Sequence, residues 1–210
     1  FEYPDKAIAE LNRALEQGAV GVMVTASING KHLIDPLFEP VWAEINKHAL
    51  PVLVHPTAPF GAKEAEFGIE RILMPGAGFM FDTTIGIARL AVDGFFERFQ
   101  DLKIIASHGG GYIPYVNGRI DMFFQVETLV KMKIDKLPSE YFSRIYYDAV
   151  LYDPGALSLC IDIAGPEKVL FGTDFPMPCD VPKLYDMIDT RPADEVKAIK
   201  GGNAIKMFGL

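Results

Sequence analysis

The sequence predicts an α/β fold built on a parallel sheet, and three observations carry that prediction. Short apolar, β-branched runs recur along the chain, stretches with helical apolar spacing separate them, and proline and glycine punctuate the joints. Strands that are apolar throughout, rather than alternating, are buried on both faces, as in a parallel sheet covered by its crossover helices.

Pro4 to Gln17 reads as a helix, with proline at a first-turn position where its missing N–H costs nothing. Ile8, Leu11 and Leu15 share one face, and Gly18 supplies the stop. Residues 19–25 (Ala-Val-Gly-Val-Met-Val-Thr) form the first buried strand. Pro40 to His48 is helical, ended by Pro51, and Pro51 to His55 is the second strand. A long helix within Phe79 to Phe99 carries Ile87, Leu90 and Phe95 on one side. Leu102 to His108 is the third strand, closing on Gly109-Gly110-Gly111. A helix around Val116 to Lys131 leads to the fourth strand, Ile145 to Val150. Asp153-Pro154 opens the next helix with a capping oxygen followed by proline, and Gly165 closes it. Val169 to Asp174 is the fifth strand. A last helix begins near Pro192, breaks at Gly201-Gly202 and finishes in a short turn from Ala204 to Phe208.

Two parallel architectures compete. An open doubly wound sheet predicts a Gly-x-Gly-x-x-Gly phosphate turn after an early strand, with ligands gathered at one switch point. No such turn occurs, and the polar groups stand at the ends of several separate strands, as in a closed (β/α)8 TIM barrel. About five β/α units are visible where a barrel needs eight strands, and the chain opens at Phe1 rather than Met. The expectation is a single partial TIM-barrel domain over residues 1–210, truncated at its N-terminal side, with the first two or three strands upstream.

Composition narrows the function. With 50% hydrophobic residues in a 210-residue chain there is material for one well-buried core, and disorder is excluded. Lys+Arg number 20 against 28 Asp+Glu, a net charge of −8, which speaks against a nucleic-acid partner. No apolar run approaches the roughly 18 residues of a membrane span, so no membrane association is expected. Cys160 and Cys179 form neither a metal pair nor a disulfide framework, and a cytoplasmic location is expected.

The chemistry concentrates at strand ends. His55 ends Val-Leu-Val-His-Pro, His108 ends Ile-Ile-Ala-Ser-His, and Asp174 ends Leu-Phe-Gly-Thr-Asp. In a barrel those ends open into one mouth, so residues distant in sequence converge. Imidazole and carboxylate are ligands for zinc or manganese, and a catalytic site keeps one position free. Each residue alone has an ordinary reading, a hydrogen-bonded histidine or a turn-capping aspartate; three at equivalent positions favour a site. On the residues alone, the three form a two-histidine, one-carboxylate set. His32 and His48 read as structural or surface residues, and Trp42, Phe95 and Phe96 as core. The triple glycine reads as a place of close backbone approach rather than a phosphate cradle. Arg119 reads either as an exposed helix arginine or as a bidentate grip on a substrate carboxylate. The loop from Thr57 to Gly78, with Pro59, Phe60, Phe67 and Met74, is expected to form a partly apolar pocket wall. No basic residue activates Cys179.

Val-Leu-Val-His-Pro, Phe-Asp-Thr-Thr at 81–84, Ser-His-Gly-Gly-Gly, Gly-Arg, Leu-Phe-Gly-Thr-Asp-Phe-Pro and the terminal Gly-Gly-Asn-Ala occur in this order over almost the whole chain. Together they resemble the amidohydrolase-related metalloenzymes, in the branch containing aminocarboxymuconate-semialdehyde decarboxylase and γ-resorcylate decarboxylase. The resemblance implies a (β/α)8 barrel, His55 and Asp174 as ligands of a divalent metal, and His108 as a general acid/base beside it. It implies zinc first and manganese second. It also implies that Arg119 reaches into a neighbouring subunit to hold a substrate carboxylate, hence a homodimer. The family's first strand carries a His-x-His or Glu-x-His pair absent from this chain, so its remaining ligands are expected upstream and the chain alone is expected to be inactive. The activity implied is decarboxylation of a small unsaturated or aromatic carboxylic acid. Hydrolysis or hydration on the same scaffold, and a non-catalytic binding protein of the same fold, are the alternatives.

Overall fold

The computed structural model describes residues 1–66, 72–126 and 134–210. Helix α1 (Pro4–Glu16) lays Ile8, Leu11 and Leu15 against the core and leads into strand β1 (Val22–Thr25). A two-residue hairpin follows, β2 (Ser27–Ile28) against β3 (Lys31–His32), turning on Asn29 and Gly30, both at positive φ as such tight turns require. Helix α2 (Glu39–Lys47) buries Val41, Trp42 and Ile45. The Trp42 indole donates to the Leu33 carbonyl at 2.8 Å and meets Phe1 and Phe95 edge-on.

Strand β4 (Pro51–His55) precedes helices α3 (Phe79–Val92) and α4 (Phe95–Arg98). The single helix expected within Phe79 to Phe99 is thus divided, because Gly94 adopts a left-handed φ of 75°. Strand β5 (Lys103–Ala106) is followed by α5 (Ile113–Val126), α6 (Pro138–Phe142) and β6 (Tyr146–Asp148). The expected end of the fourth helix at Lys131 lies outside the described residues, as does Phe67. Helix α7 (Pro154–Ala164) is capped by the Asp153 carboxylate, which accepts from the Ala156 N–H at 2.9 Å. Strand β7 (Val169–Leu170) is shorter than the sequence suggests, since Phe171 to Asp174 leave the ladder. Helices α8 (Val181–Ile188), α9 (Ala193–Lys197) and α10 (Asn203–Phe208) complete the chain.

Five strands form one parallel sheet in the order β1-β4-β5-β6-β7. The order never reverses, so these strands contain no switch point of the doubly wound kind. Thr25 lies opposite His55, and Val54 opposite Ala106, which brings the C-terminal ends of neighbouring strands to one rim. Helices cover one face, where Val24, Val54, Ile104, Ala106 and Tyr147 join Trp42, Leu90 and Phe95 in the main core. On the other face Ile105 and Leu170 pack with Met207 of α10. Among the described residues no helix is long and apolar enough to cross a membrane.

Candidate metal centre and active site

The three strand-end groups singled out in the sequence meet at the C-terminal rim. His55 Nε2 stands 3.1 Å from Asp174 Oδ1, and His108 Nε2 stands 3.4 Å from Asp174 Oδ2. The two imidazole rings are 5.2 Å apart, edge to face. One ligand atom from each of the three residues lies within 4.8 Å of the others. Parallel neighbours deliver His55 and His108 side by side; the loop beyond β7 swings Asp174 across to face both.

The donor set fits a divalent cation. His55 Nδ1 lies 3.0 Å from the Pro56 carbonyl, so its proton belongs there and the Nε2 lone pair is left pointing at the cluster. His108 is buried, and its Nδ1 has no hydrogen-bond partner. His108 and Asp174 both hold a left-handed backbone, at φ 52° and 60°, a conformation non-glycine residues adopt at a cost that surrounding structure must sustain. Such strain is often found where side chains are aimed for function.

Beside the cluster opens a cavity of about 530 Å³. His55, Asp174 and Asp148 stand on its wall with Met23, Leu53, Ile105, Phe171 and Phe175, so a few polar groups face an otherwise apolar space. His108 is not itself a lining residue, but its Nε2 stands 3.4 Å from Asp174 Oδ2 on that wall. The wall differs from the one the sequence suggested. Among the described residues Pro59, Phe60 and Met74 do not line the cavity, and Phe60 instead packs its ring against His32. The apolar wall comes from the sheet itself and from the loop after β7.

Asp148 was missed in the sequence although it, too, ends a strand. Its Oδ1 accepts from the N–H groups of Gly109 and Val150, both at 3.1 Å. Burial pushes its carboxyl above the ordinary range, opposed by the nearby His108 and by these N–H donors. In sequence Asp148 falls inside the strand expected from Ile145 to Val150, so nothing marks it as a strand-end group until β6 is seen to stop there.

The triple glycine matches the close-approach reading. All three residues have positive φ. A methyl group on Gly110 would come within 2.6 Å of the Tyr147 ring, and one on Gly111 would overlap the Met80 carbonyl. The Cys160 thiol donates to the Gly109 carbonyl from beneath, and burial pushes that thiol up to about 12. The turn bearing His108 is therefore packed against Tyr147, Leu151, Cys160 and the first turn of α3.

Other expectations fall where they were placed. His48 caps α2 and pairs with Glu44 at 3.1 Å. His32 sits in the hairpin, and burial lowers its pKa. Trp42, Phe95 and Phe96 are core residues, and both cysteines are free. Arg119 does not reach the cluster within its own chain; it is exposed on α5, its guanidinium 5.0 Å from the centre of the Phe123 ring.

Residues 2–210 match the family model described as amidohydrolase. The chain belongs to the amidohydrolase family. Its resemblance to the decarboxylase branch is borne out by relatives of this amidohydrolase chain. A 2-amino-3-carboxymuconate-6-semialdehyde decarboxylase of Dictyostelium discoideum is 30% identical over 212 residues, covering 98% of this chain and 58% of that protein. The crystal structure of 5-carboxyvanillate decarboxylase from Sphingomonas paucimobilis is 29% identical with a TM-score of 0.87, covering 99% of this chain and 64% of that one. A 2,6-dihydroxybenzoate decarboxylase complexed with 2,6-dihydroxybenzoate is 25% identical with a TM-score of 0.88, covering 99% of this chain and 68% of that one. The chain spans somewhat more than half the length of the first of these relatives.

Proposed function

We propose that the whole protein is a metal-dependent decarboxylase, a carbon–carbon lyase acting on a small aromatic or unsaturated carboxylic acid. The convergence of His55, His108 and Asp174 carries this reading, and relatives named as decarboxylases support it. His55 and Asp174 would hold the divalent ion, whose contribution when bound is to polarise a substrate oxygen or lower the pKa of a bound water toward about 7. Zinc is the first candidate and manganese the second, since imidazole and carboxylate suit both.

The chain's own residues supply the rest. The apolar wall of Met23, Leu53, Ile105 and Phe171 receives the unsaturated body of the substrate and excludes water. As the bond to the carboxylate carbon breaks, CO₂ departs and its electron pair stays on the ring or chain carbon. That carbon then takes a proton, and His108 is the group that delivers it. Arg119 is assigned to the carboxylate of a substrate bound in a second copy of the chain, which makes the protein a homodimer. The exposed apolar side chains beside it on α5, Tyr115, Met122, Phe123 and Val126, support that assignment.

The assembly around the site follows the same reading. We infer a single domain that closes as a (β/α)8 barrel, the remaining strands and metal ligands lying outside these 210 residues, so that residues 1–210 alone are inactive. The unreversed order of the five parallel strands supports closure. The two free cysteines and acidic charge support a cytoplasmic protein without membrane or nucleic-acid partners.

The test is CO₂ release by the full-length, metal-loaded protein from 2,6-dihydroxybenzoate, 5-carboxyvanillate and 2-amino-3-carboxymuconate-6-semialdehyde. His108→Asn separates the two roles open to that imidazole. As the acid/base, its loss lowers turnover about 10²–10⁴-fold while the metal content stays at the wild-type level. Loss of the metal itself would place His108 among the ligands. Turnover unchanged in His108→Asn overturns the mechanism.

A further inference from the structure

Helix α3 touches both loops that carry the clustered imidazoles of His55 and His108, and it does so through residues the reaction does not use. Asp82 is buried, and its Oδ2 accepts from the Thr57 N–H at 2.8 Å, two residues beyond His55. Two residues further along the helix, the Thr84 hydroxyl donates to the Met80 carbonyl and accepts from the Tyr112 N–H, both at 2.7 Å. Tyr112 closes the glycine turn that starts at His108, and its own hydroxyl donates to the Ala77 carbonyl just ahead of α3. Gly111 packs so closely on Met80 and Thr84 that a side chain there has no room. A third contact comes one turn on: a methyl at Gly86 would lie 3.0 Å from both Cβ and O of Ala26, whose N–H donates to the His55 carbonyl at 2.8 Å.

We propose that the first two turns of α3 are a strut that sets the separation and aim of His55 and His108, with Asp82 and Thr84 as its positioning residues. The inference rests on the two imidazoles sharing one site, whichever step each performs. A hydrogen bond to a backbone N–H fixes a loop's path, and a path error of a fraction of an ångström is amplified at the imidazole tip. The two anchors lie on one helix, so the loops after β4 and β5 are held to one rigid body beyond the point where the ladder, ending in the Ser107 N–H on the Val54 carbonyl at 3.2 Å, joins the strands themselves.

The strut needs an acceptor at 82 and a hydroxyl at 84, not charge or bulk. In the full-length protein labelled with ¹⁵N-histidine, Asp82→Ala displaces the His55 imidazole resonances and Asp82→Asn leaves them in place. Thr84→Val, nearly isosteric, displaces those of His108, and Thr84→Ser restores them. Titration with Mn²⁺ alone gives affinity weakened about 10–100-fold in Asp82→Ala and within about threefold of wild type in Asp82→Asn. Histidine resonances and Mn²⁺ affinity that stay put in Asp82→Ala and Thr84→Val overturn the strut, and so do Asn and Ser variants as damaging as Ala and Val. Should Asp82→Ala fail to fold, the Thr84 pair decides alone. A wild-type protein that takes up no Mn²⁺ would defeat the metal reading, while the imidazole shifts would still judge the strut.

Discussion

Along β4 and β5, Val52, Val54, Ile104 and Ala106 point to one side of the sheet and are at most 1% exposed. Leu53 and Ile105 point to the other side and share it with Met23, which is 67% exposed. The first face is sealed by helices carrying Trp42, Leu90, Phe95 and Phe142; among the described residues the second has Ala204, Met207 and Phe208 of α10 against it. The contrast separates two jobs. Dense packing on the helical side holds the strand ends still, and the looser side leaves room for a ligand beside the groups those ends present.

The largest contrast should appear in thiol chemistry. Cys160 belongs to the packed layer, and with its thiol at about 12 only about one molecule in ten thousand is thiolate at pH 8. Cys179, half-exposed in the loop beyond β7, should be alkylated by iodoacetamide in the native protein, with Cys160 reacting only in denaturant. Mass spectrometry of labelled peptides counts both; equal labelling would mean the packed layer opens readily.

Stability should divide the same way. Ile104→Ala, on the helical face, is expected to cost about 2–5 kcal/mol in denaturant unfolding. Leu53→Ala, on the open face, is expected to cost less than half as much, because that side chain is only partly withdrawn from water. In the 210-residue chain Met23→Ser should change stability by no more than about 0.5 kcal/mol. A Leu53→Ala loss equal to that of Ile104→Ala would erase the distinction between faces.

The smallest effect is one of pH. Burial raises the Asp82 carboxyl, with the Thr57 N–H opposing it. The folded chain therefore holds this proton more tightly than the unfolded one. The stability it confers is complete below the unfolded value near 4 and is lost as pH rises through the folded value. Asp82→Asn should gain stability relative to wild type as pH climbs across that window, as melting temperatures at several pH values would show.

The parts of this architecture that could be read in advance are those written in continuous pattern. Strands β4 and β5 are unbroken apolar runs, and the Asp153-Pro154 opening of α7 appears as expected. Helix α8 was not anticipated, although Asp180 ahead of Val-Pro repeats the same capping logic, because eight residues are too few for periodicity to stand out. Helix α6 is shorter still. In the site, His55, His108 and Asp174 were legible because imidazole or carboxylate at the end of an apolar strand is chemically conspicuous. Asp148 and Asp82 were not, since a carboxylate that accepts backbone N–H groups has no mark in sequence until the loops it binds are seen. The cavity wall lies elsewhere than expected for a related reason: the chain sets Phe171, Phe175 and Met177 along the cavity after β7, with Phe175 and Met177 still largely exposed, and nothing in the order of residues says which loop will border the rim.

Trp42 is the sole tryptophan of the chain, locked between Phe1, Phe95 and the Leu33 carbonyl in the helical layer. Within these 210 residues its emission is a one-site optical gauge that reddens when that layer hydrates. Because the indole belongs to the helical layer and not to the cavity wall, its colour stays constant while a ligand titrates. Occupation of the cavity and melting of the scaffold can thus be followed separately in the same cuvette.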